Sequence, residues 1–171
     1  MQLSSPKYDH ISESPGPTPE EMRASMSRFA SGVTVVTGLD QEGPTGFVCQ
    51  SFASVSLDPP LILFCADRKG RSWPRIRRSG WFTVNVLADN QVDMCTRFGS
   101  SDGLKYDGID WKRSRWGTPA LPGVLLRVHA SIENIHLSGD HDVIIGRVAE
   151  LECLSDASPL IFYRGKFGLV Y

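Results

Sequence analysis

The chain has 171 residues and a formal net charge of −1, with 41% hydrophobic and 22% charged residues. This length fits one domain with a sizeable core, and the near-neutral charge argues against a general binder of nucleic acid or anionic membranes. No apolar run approaches the roughly 20 residues of a membrane span. Four scattered cysteines without a C-x-x-C pair indicate free thiols, so we expect a cytoplasmic protein without membrane contact.

The N-terminal region divides into an arm and a helix. Residues 1–17 are polar and rich in Ser and Pro, which predicts a flexible arm, and residues 18–171 are predicted to form a single domain. Thr18-Pro19-Glu20-Glu21 supplies an N-cap, a proline in the first turn and a capping-box carboxylate. Apolar residues follow at helical spacing up to Gly32: Met22, Met26, Phe29 and Ala30. We therefore expect a helix that packs on the core.

From Val33 onwards the pattern is typical of β-strands. The predicted strands cover residues 33–39, 45–56, 61–66, 81–87, 124–136 and 143–154, and a last one starts at Pro159. A short helix, capped by Asp89 or Asn90, is predicted through Phe98. Strands dominate and do not alternate regularly with helices, which disfavours a parallel doubly wound sheet. The sequence therefore predicts a mainly β protein, an antiparallel barrel with a few peripheral helices.

A basic loop lies between the strands at 61–66 and 81–87. It reads Arg68-Lys69-Gly70-Arg71-Ser72, with Ser72 where a helix N-cap is expected, and Gly80 marks the end of the helix. A helix N-terminus with cationic side chains before it is typical of a phosphate site. Gly46, near the start of the strand predicted at 45–56, would let a flat ligand approach the backbone.

Other chemistries find less support. The sequence contains no G-x-G-x-x-G, Walker or G-x-S-x-G motif. His136, Asp140, His141 and Asp142 match no common metal spacing, so we expect no metal. A nucleic-acid-binding module built on residues 68–78 stays an alternative, although this basic cluster is small and has no interleaved aromatic residues.

The order of several short motifs resembles the short-chain flavin reductases, the reductase components of two-component flavin-dependent monooxygenases. The similar segments are GFVCQSFASVSLDPPLILFC, the basic loop with Arg71-Ser72, FTVNVL, Arg97-Phe98-Gly99, Gly108-Ile109-Asp110-Trp111, Gly139-Asp140-His141 and Phe162-Tyr163-Arg164-Gly165. The resemblance implies a homodimeric flavin-binding split barrel. It also implies an NAD(P)H-dependent enzyme, with NADH favoured, that reduces FAD or FMN and supplies a partner monooxygenase. A non-catalytic flavin-binding protein on the same barrel is the alternative.

The resemblance also implies site residues. The isoalloxazine edge would lie along Pro44, Thr45, Gly46, Phe47, Val48, Gln50 and Ser51. The ribityl chain and phosphate would lie on Cys65, Ala66, Asp67, Arg68, Lys69, Gly70, Arg71 and Ser72, with Asp67 turned outward. Arg97 and Phe98 would contact the flavin tail, either at its adenine part or from the partner subunit. The nicotinamide would meet His141, Phe162, Tyr163, Arg164 and Gly165. No catalytic side chain is implied beyond His141 as an assistant.

Overall fold

The computed structural model describes residues 16–101 and 103–168, so the predicted arm lies almost wholly outside the described residues. Helix α1 (Pro19–Met26) begins with the predicted capping box, in which the backbone N–H of Thr18 donates to Glu21 at 2.8 Å. The expected core packing is wrong. Met22 and Met26 are each 52% exposed and Phe29 is 73% exposed, because the helix ends at Met26 and buries no residue within this chain.

Twelve strands and two further helices follow among the described residues. The strands are β1 (Ser31–Gly32), β2 (Thr34–Asp40), β3 (Gly43–Cys49), β4 (Ala53–Leu57), β5 (Pro60–Asp67), β6 (Trp81–Val86), β7 (Lys112–Arg113), β8 (Pro119–Ala120), β9 (Leu126–Ser138), β10 (His141–Cys153), β11 (Ile161–Tyr163) and β12 (Lys166–Phe167). The helices are α2 (Ser72–Ser79) and α3 (Val92–Gly99). None of the helices in the described ranges is long and apolar enough to cross a membrane.

Seven of the strands form one antiparallel sheet in the order β3-β2-β6-β9-β10-β5-β4. The single strand predicted at 45–56 is in fact two strands, β3 and β4, which occupy opposite edges of this sheet. A flat sheet of this size is about 29 Å wide, whereas the short connection from Cys49 to Ala53 reaches at most about 14 Å. The sheet must therefore roll round on itself, which confirms a mainly β, antiparallel, barrel-like fold.

Contacts across the rolled sheet hold its two sides together. The Ser51 hydroxyl, just beyond β3, accepts a hydrogen bond from the backbone N–H of Cys65 on β5 at 2.8 Å. The rings of Phe47 and Phe64, on the same two strands, have centroids 6.2 Å apart. Edge strand β3 is thus held near β5 by side-chain contacts, without forming a continuous ladder with it.

Two apolar clusters use opposite faces of β2, since neighbouring residues of a strand point in opposite directions. Val36 belongs to the cluster that includes Trp73 and Ile76 of α2. Val35 belongs to the cluster that includes Cys95 and Phe98 of α3. The two helices therefore cover opposite faces of the β2–β3 hairpin, and this arrangement places them on either side of edge strand β3.

Two local expectations need correction. Helix α3 has Gln91 at its N-cap position, so the predicted cap at Asp89 or Asn90 is wrong. The Gln91 side chain instead accepts from the N–H of Ala88 at 3.0 Å. The last predicted strand is part of a hairpin, β11–β12, whose turn residues Arg164 and Gly165 have φ values of 49° and 76°. Two positive φ angles in succession are typical of a tight two-residue hairpin turn.

Candidate functional site

A cavity of about 810 Å³ lies along edge strand β3, between the N-terminus of α2 and the C-terminus of α3. Eleven of the residues implied by the resemblance line it: Pro44, Thr45, Phe47, Val48, Ala66, Asp67, Lys69, Gly70, Arg71, Ser72 and Phe98. Since Phe47 and Val48 are consecutive residues of β3 and both line the cavity, it is open to both faces of this edge strand. The fold thus brings the predicted ring strand and the predicted phosphate loop into one site.

The loop before α2 is shaped by Asp67. Its carboxylate accepts from the N–H of Lys69 at 2.8 Å, and its carbonyl accepts from the N–H of Gly70 at 3.0 Å. This local bonding explains how a carboxylate can be accommodated in a cationic loop. Lys69, Gly70 and Arg71 then follow directly into α2, and all three line the cavity.

Ser72 does not have the predicted capping role. The N-cap residue is Arg71, and Ser72 is the first helical residue. The Ser72 hydroxyl donates to the carbonyl oxygen of Gly46 at 2.8 Å and so ties α2 to β3. No side chain of the described residues caps the first turn of α2. Since Pro74 has no N–H, the backbone donors that remain available to an anion in the cavity are those of Ser72 and Trp73.

Gly46 also differs from the expectation. It is buried, and a Cβ atom there would come within 2.9 Å of the Phe98 ring and 3.0 Å of the Val36 carbonyl oxygen. The absence of a side chain at Gly46 makes room for the Phe98 ring of α3. The sequence had suggested instead that this glycine lets a flat ligand approach the backbone. Phe98 itself lines the cavity.

Sequence reasoning missed a segment that lines the cavity and bonds to β3, around Lys105 and Tyr106. The Lys105 ammonium donates to the carbonyl oxygens of Gly46 at 3.0 Å and Phe98 at 2.9 Å. The Tyr106 hydroxyl donates to the carbonyl of Thr45 at 2.8 Å, and burial raises the pKa of this phenol. The region from 99 to 122 carried no regular pattern, so nothing in the sequence indicated that two of its side chains bond to β3.

The other cavity-lining residues missed from the sequence are Glu42, Trp73, Pro74, Arg75, Arg78, Gly99, Ser100, Ser101 and Gly103. Most of them continue elements already identified, namely α2, the end of α3 and the β2–β3 turn. A helical periodicity argument could have placed Arg75 and Arg78 on the same face as Ser72, since the three are spaced by three residues.

The arginines of residues 68–78 are largely paired with carboxylates. Arg75 contacts Asp40 at 2.6 Å, and Arg78 contacts both Asp40 and Glu42 at 3.1 Å. The hydrogen bond from Arg75 is the main reason that the pKa of Asp40 falls to about 2. Because the charges of Arg75 and Arg78 are neutralised within the fold, the cluster offers a nucleic acid less free positive charge than its sequence suggests.

Arg68, which the family resemblance assigned to the flavin phosphate, lines a second, smaller cavity of about 210 Å³. There Arg68 and Arg77 each lie 3.8 Å from the buried carboxylate of Asp142, which accepts from the indole N–H of Trp73 at 2.8 Å. In the described part of the chain, Lys69 and Arg71 line the main cavity without any carboxylate within ion-pair distance. Arg71 donates instead to the Ser101 carbonyl.

The turn that carries His141 lies directly against the basic loop. The Arg68 backbone N–H donates to the Asp140 carbonyl at 3.2 Å, and His141 is paired with Asp67 in the sheet register. The Nδ1 atom of His141 is 2.8 Å from a carboxylate oxygen of Asp140, and this hydrogen bond lowers the pKa of Asp140. His141 is thus beside the basic loop, although it does not line the cavity itself.

The remaining implied residues lie away from the cavity lining within this chain: Gly46, Gln50, Ser51, Cys65, Arg97, Phe162, Tyr163, Arg164 and Gly165. Arg97 donates to the carbonyl oxygen of Asp107. The β11 residues pair with β1, and the Arg164 backbone N–H donates to Ser27 at 2.9 Å.

Comparisons with known proteins agree with this architecture. A profile of the family described as "Flavin reductase like domain" matches residues 26–170. The reductase subunit HsaB of a flavin-dependent monooxygenase from Rhodococcus jostii (strain RHA1) is 48% identical over 149 residues, which cover 87% of this chain and 76% of that protein.

Two solved structures share the fold. Nitrilotriacetate monooxygenase component B from Mycobacterium thermoresistibile superposes with a TM-score of 0.84 at 41% identity, covering 87% of this chain and 84% of that one. The NADH:FAD oxidoreductase SgcE6 from Streptomyces globisporus C-1027, solved with NAD and FAD fragments, gives a TM-score of 0.84 at 28% identity, covering 89% and 92%. The expected flavin reductase split barrel is thereby confirmed, and the chain belongs to the flavin reductase-like domain family.

Proposed function

We propose that the protein is an NADH-dependent flavin reductase that passes a hydride from the nicotinamide to FAD or FMN and supplies the reduced flavin to a separate monooxygenase. The observation that carries the proposal is the cavity along β3, with the uncapped N-terminus of α2 at one end. Lys69 and Arg71 line the same end, and neither has an ion-pair partner within the described ranges. The names of the relatives, a monooxygenase reductase subunit and an NADH:FAD oxidoreductase, support the same activity.

The residues present fit a flavin phosphate and ring. Lys69 and Arg71 offer a phosphate cationic hydrogen-bond donors, and the backbone N–H groups of Ser72 and Trp73 offer neutral ones. Phe47, Val48 and Phe98 offer apolar surface to a flat ring system.

When bound, the flavin supplies the hydride acceptor and the nicotinamide supplies the donor, so no nucleophilic side chain is required. The chain's own contribution is to hold the two rings face to face and to exclude water from between them. Ser72, Lys105 and Tyr106 serve this purpose indirectly, because their hydrogen bonds fix β3 against α2 and the segment after α3.

The family resemblance assigns His141 to the nicotinamide side, and the 139–141 turn lies against the basic loop at the edge of the site, where the Arg68 N–H donates to the Asp140 carbonyl. The Phe162–Gly165 segment was assigned to the nicotinamide from the family resemblance. Since none of its four residues lines the cavity of its own chain, this assignment requires a second copy to bring the segment there.

A homodimer is part of the proposal. Met22, Met26 and Phe29 expose apolar side chains that, at helical spacing, would normally be buried. A second copy that covers α1 would remove them from water, and it could also bring Arg97 towards a neighbouring site. Light scattering coupled to size exclusion tests this directly, and a monomer that binds flavin tightly would contradict it.

We also propose a cytoplasmic location, which suits the free thiols of Cys49, Cys65, Cys95 and Cys153.

The decisive experiment is steady-state oxidation of NADH by the purified protein with free FMN or FAD as acceptor. A flavin reductase should oxidise NADH only when flavin is present and should saturate in both substrates. An absorption titration with flavin, run in parallel, separates the alternatives. Flavin binding without NADH oxidation would indicate a non-catalytic flavin-binding protein, and absence of binding would refute the site.

A further inference from the structure

The cavity extends along α2 and has two ends that differ in charge. At the N-terminal end, Lys69, Arg71 and Asp67 line it, and among the described residues no carboxylate forms an ion pair with Lys69 or Arg71, so this end keeps a net positive charge. Six residues after Ser72, the first residue of α2, and thus about 9 Å along the helix, Arg78 lines it together with Arg75 and Glu42. An elongated ligand whose phosphate lies at the N-terminal end would therefore continue towards the end formed by these three residues.

The charges at the second end compensate one another. Arg75 and Arg78 both bond to Asp40, and Arg78 also bonds to Glu42 at 3.1 Å. Two cations thus face two anions, and the pKa of Asp40 near 2 keeps its carboxylate ionised at neutral pH. Of the two acids, Glu42 lines the cavity and is 66% exposed, so an approaching anion meets a carboxylate before it meets an uncompensated guanidinium.

FMN and FAD present different charges to such a cavity. FMN ends in a phosphate monoester, which carries about −1.5 to −2 at pH 7 and needs one anion site. FAD carries a second phosphate with adenosine beyond it, and each phosphate of the pyrophosphate is closer to a single charge. The first end therefore attracts FMN more strongly, and the second end offers the extra phosphate of FAD no net positive charge.

We propose that Glu42 is a specificity-determining residue that makes the cavity favour FMN over FAD, by neutralising the arginines that a second phosphate would need. The inference rests on the proposed function, because it concerns the flavin of the same site. It assigns to the β2–β3 turn a role that neither the sequence pattern nor the cavity shape alone would give.

The test is the binding of riboflavin, FMN and FAD, which share the isoalloxazine ring and ribityl chain and differ in the number of phosphates. Quenching of flavin fluorescence gives the dissociation constants at about 0.15 M salt, where the Debye length of about 8 Å limits the influence of Glu42 on the distant phosphate site. For the unaltered protein, FMN should bind most tightly. The ratio of the dissociation constants of riboflavin and FMN then gives the contribution of the first phosphate.

Glu42→Gln should tighten FAD binding about two- to fivefold, the effect of removing one exposed charge near a ligand, and should change FMN binding much less. Glu20→Gln, which alters net charge equally but on α1 and outside the cavity, should change neither. Tighter binding of FAD than FMN by the unaltered protein, or an equal response of both flavins to Glu42→Gln, would overturn the inference alone. Binding of none of the three would overturn the proposed function and the inference with it.

Discussion

Replacing Asp40 with Asn should destabilise the fold, because this carboxylate joins the β2–β3 hairpin to α2. Its oxygens accept from Arg75 Nη2 at 2.6 Å and Arg75 Nε at 3.0 Å, and from Arg78 Nη2 at 3.1 Å. The Asp40 side chain is only 11% exposed, so water screens the contact weakly. Asparagine keeps the size of the side chain but removes the charge and turns one acceptor into a donor that faces a guanidinium.

The size of the effect follows from the lowered pKa. The fall from 3.8 to about 2 in the folded state corresponds to roughly 2 kcal/mol, at about 1.4 kcal/mol per unit. Because the folded-state pKa lies below the unfolded-state value, this stabilisation is fully present above pH 3.8 and is lost as the pH falls through about 2. Asp40→Asn should thus cost roughly 2 kcal/mol at pH 7, and the cost should shrink between pH 4 and pH 2.

Urea unfolding of the unaltered protein, Asp40→Asn, Arg75→Gln and the double variant gives these free energies and the coupling between the two side chains. Glu133→Gln is a matched control, because Glu133 also makes a two-pronged contact with Arg147, at 2.7 and 2.9 Å, but on the exposed surface. Glu133→Gln should lower the free energy of unfolding much less than Asp40→Asn does. If Asp40→Asn and Glu133→Gln cost the same, or if the Asp40 and Arg75 effects simply add, then burial of the Asp40 contact contributes nothing.

Three other changes test the site. Arg71→Ala should weaken FMN binding about tenfold or more, as expected for one charge-assisted contact, whereas Arg77→Ala on the same helix should leave fluorescence titrations unchanged. His141→Ala should raise the KM for NADH or lower kcat/KM, about tenfold per 1.4 kcal/mol lost, and spare the Kd for flavin; the reverse pattern would place His141 on the flavin side. Tyr106→Phe should lower the free energy of unfolding by about 1 kcal/mol, because the Thr45 carbonyl loses its donor; unchanged urea midpoints would contradict this clamp.

Local features of the sequence predicted local structure well. The capping box at Thr18 and the left-handed Gly80 after α2 form as expected, because each depends on residues within one turn. The long hairpin of β9 and β10 around Gly139-Asp140 also follows from its alternating pattern and turn residues. The position of the basic loop directly before α2 was predictable for the same reason, since a helix start and its preceding cations are neighbours in sequence.

The partners of particular side chains could not be predicted in this way. Ser72 is equally suited to cap a helix or to bond elsewhere, and the carbonyl it reaches, that of Gly46, is 26 residues away. The same holds for Lys105 with Gly46, and for Arg75 with Asp40 across the hairpin. These pairs depend on where the rolled sheet places β3 relative to α2, which is a property of packing and not of any short segment.

The apolar stripe of α1 also shows the difference between what a local sequence pattern predicts and what packing decides. Its spacing indicates that Met22, Met26 and Phe29 favour burial, but hydrophobic burial is non-directional, so the pattern cannot say what covers them. Likewise, the basic character of residues 68–78 was evident from the sequence, whereas their neutralisation by Asp40, Glu42 and Asp142 was not. The sequence by itself determined the strand-rich class, the presence of three short helices and the cationic character of the loop before α2. Only the tertiary structure decided which charges stay unpaired in the cavity, because the energy of a charge depends on its distance to others through space rather than along the chain.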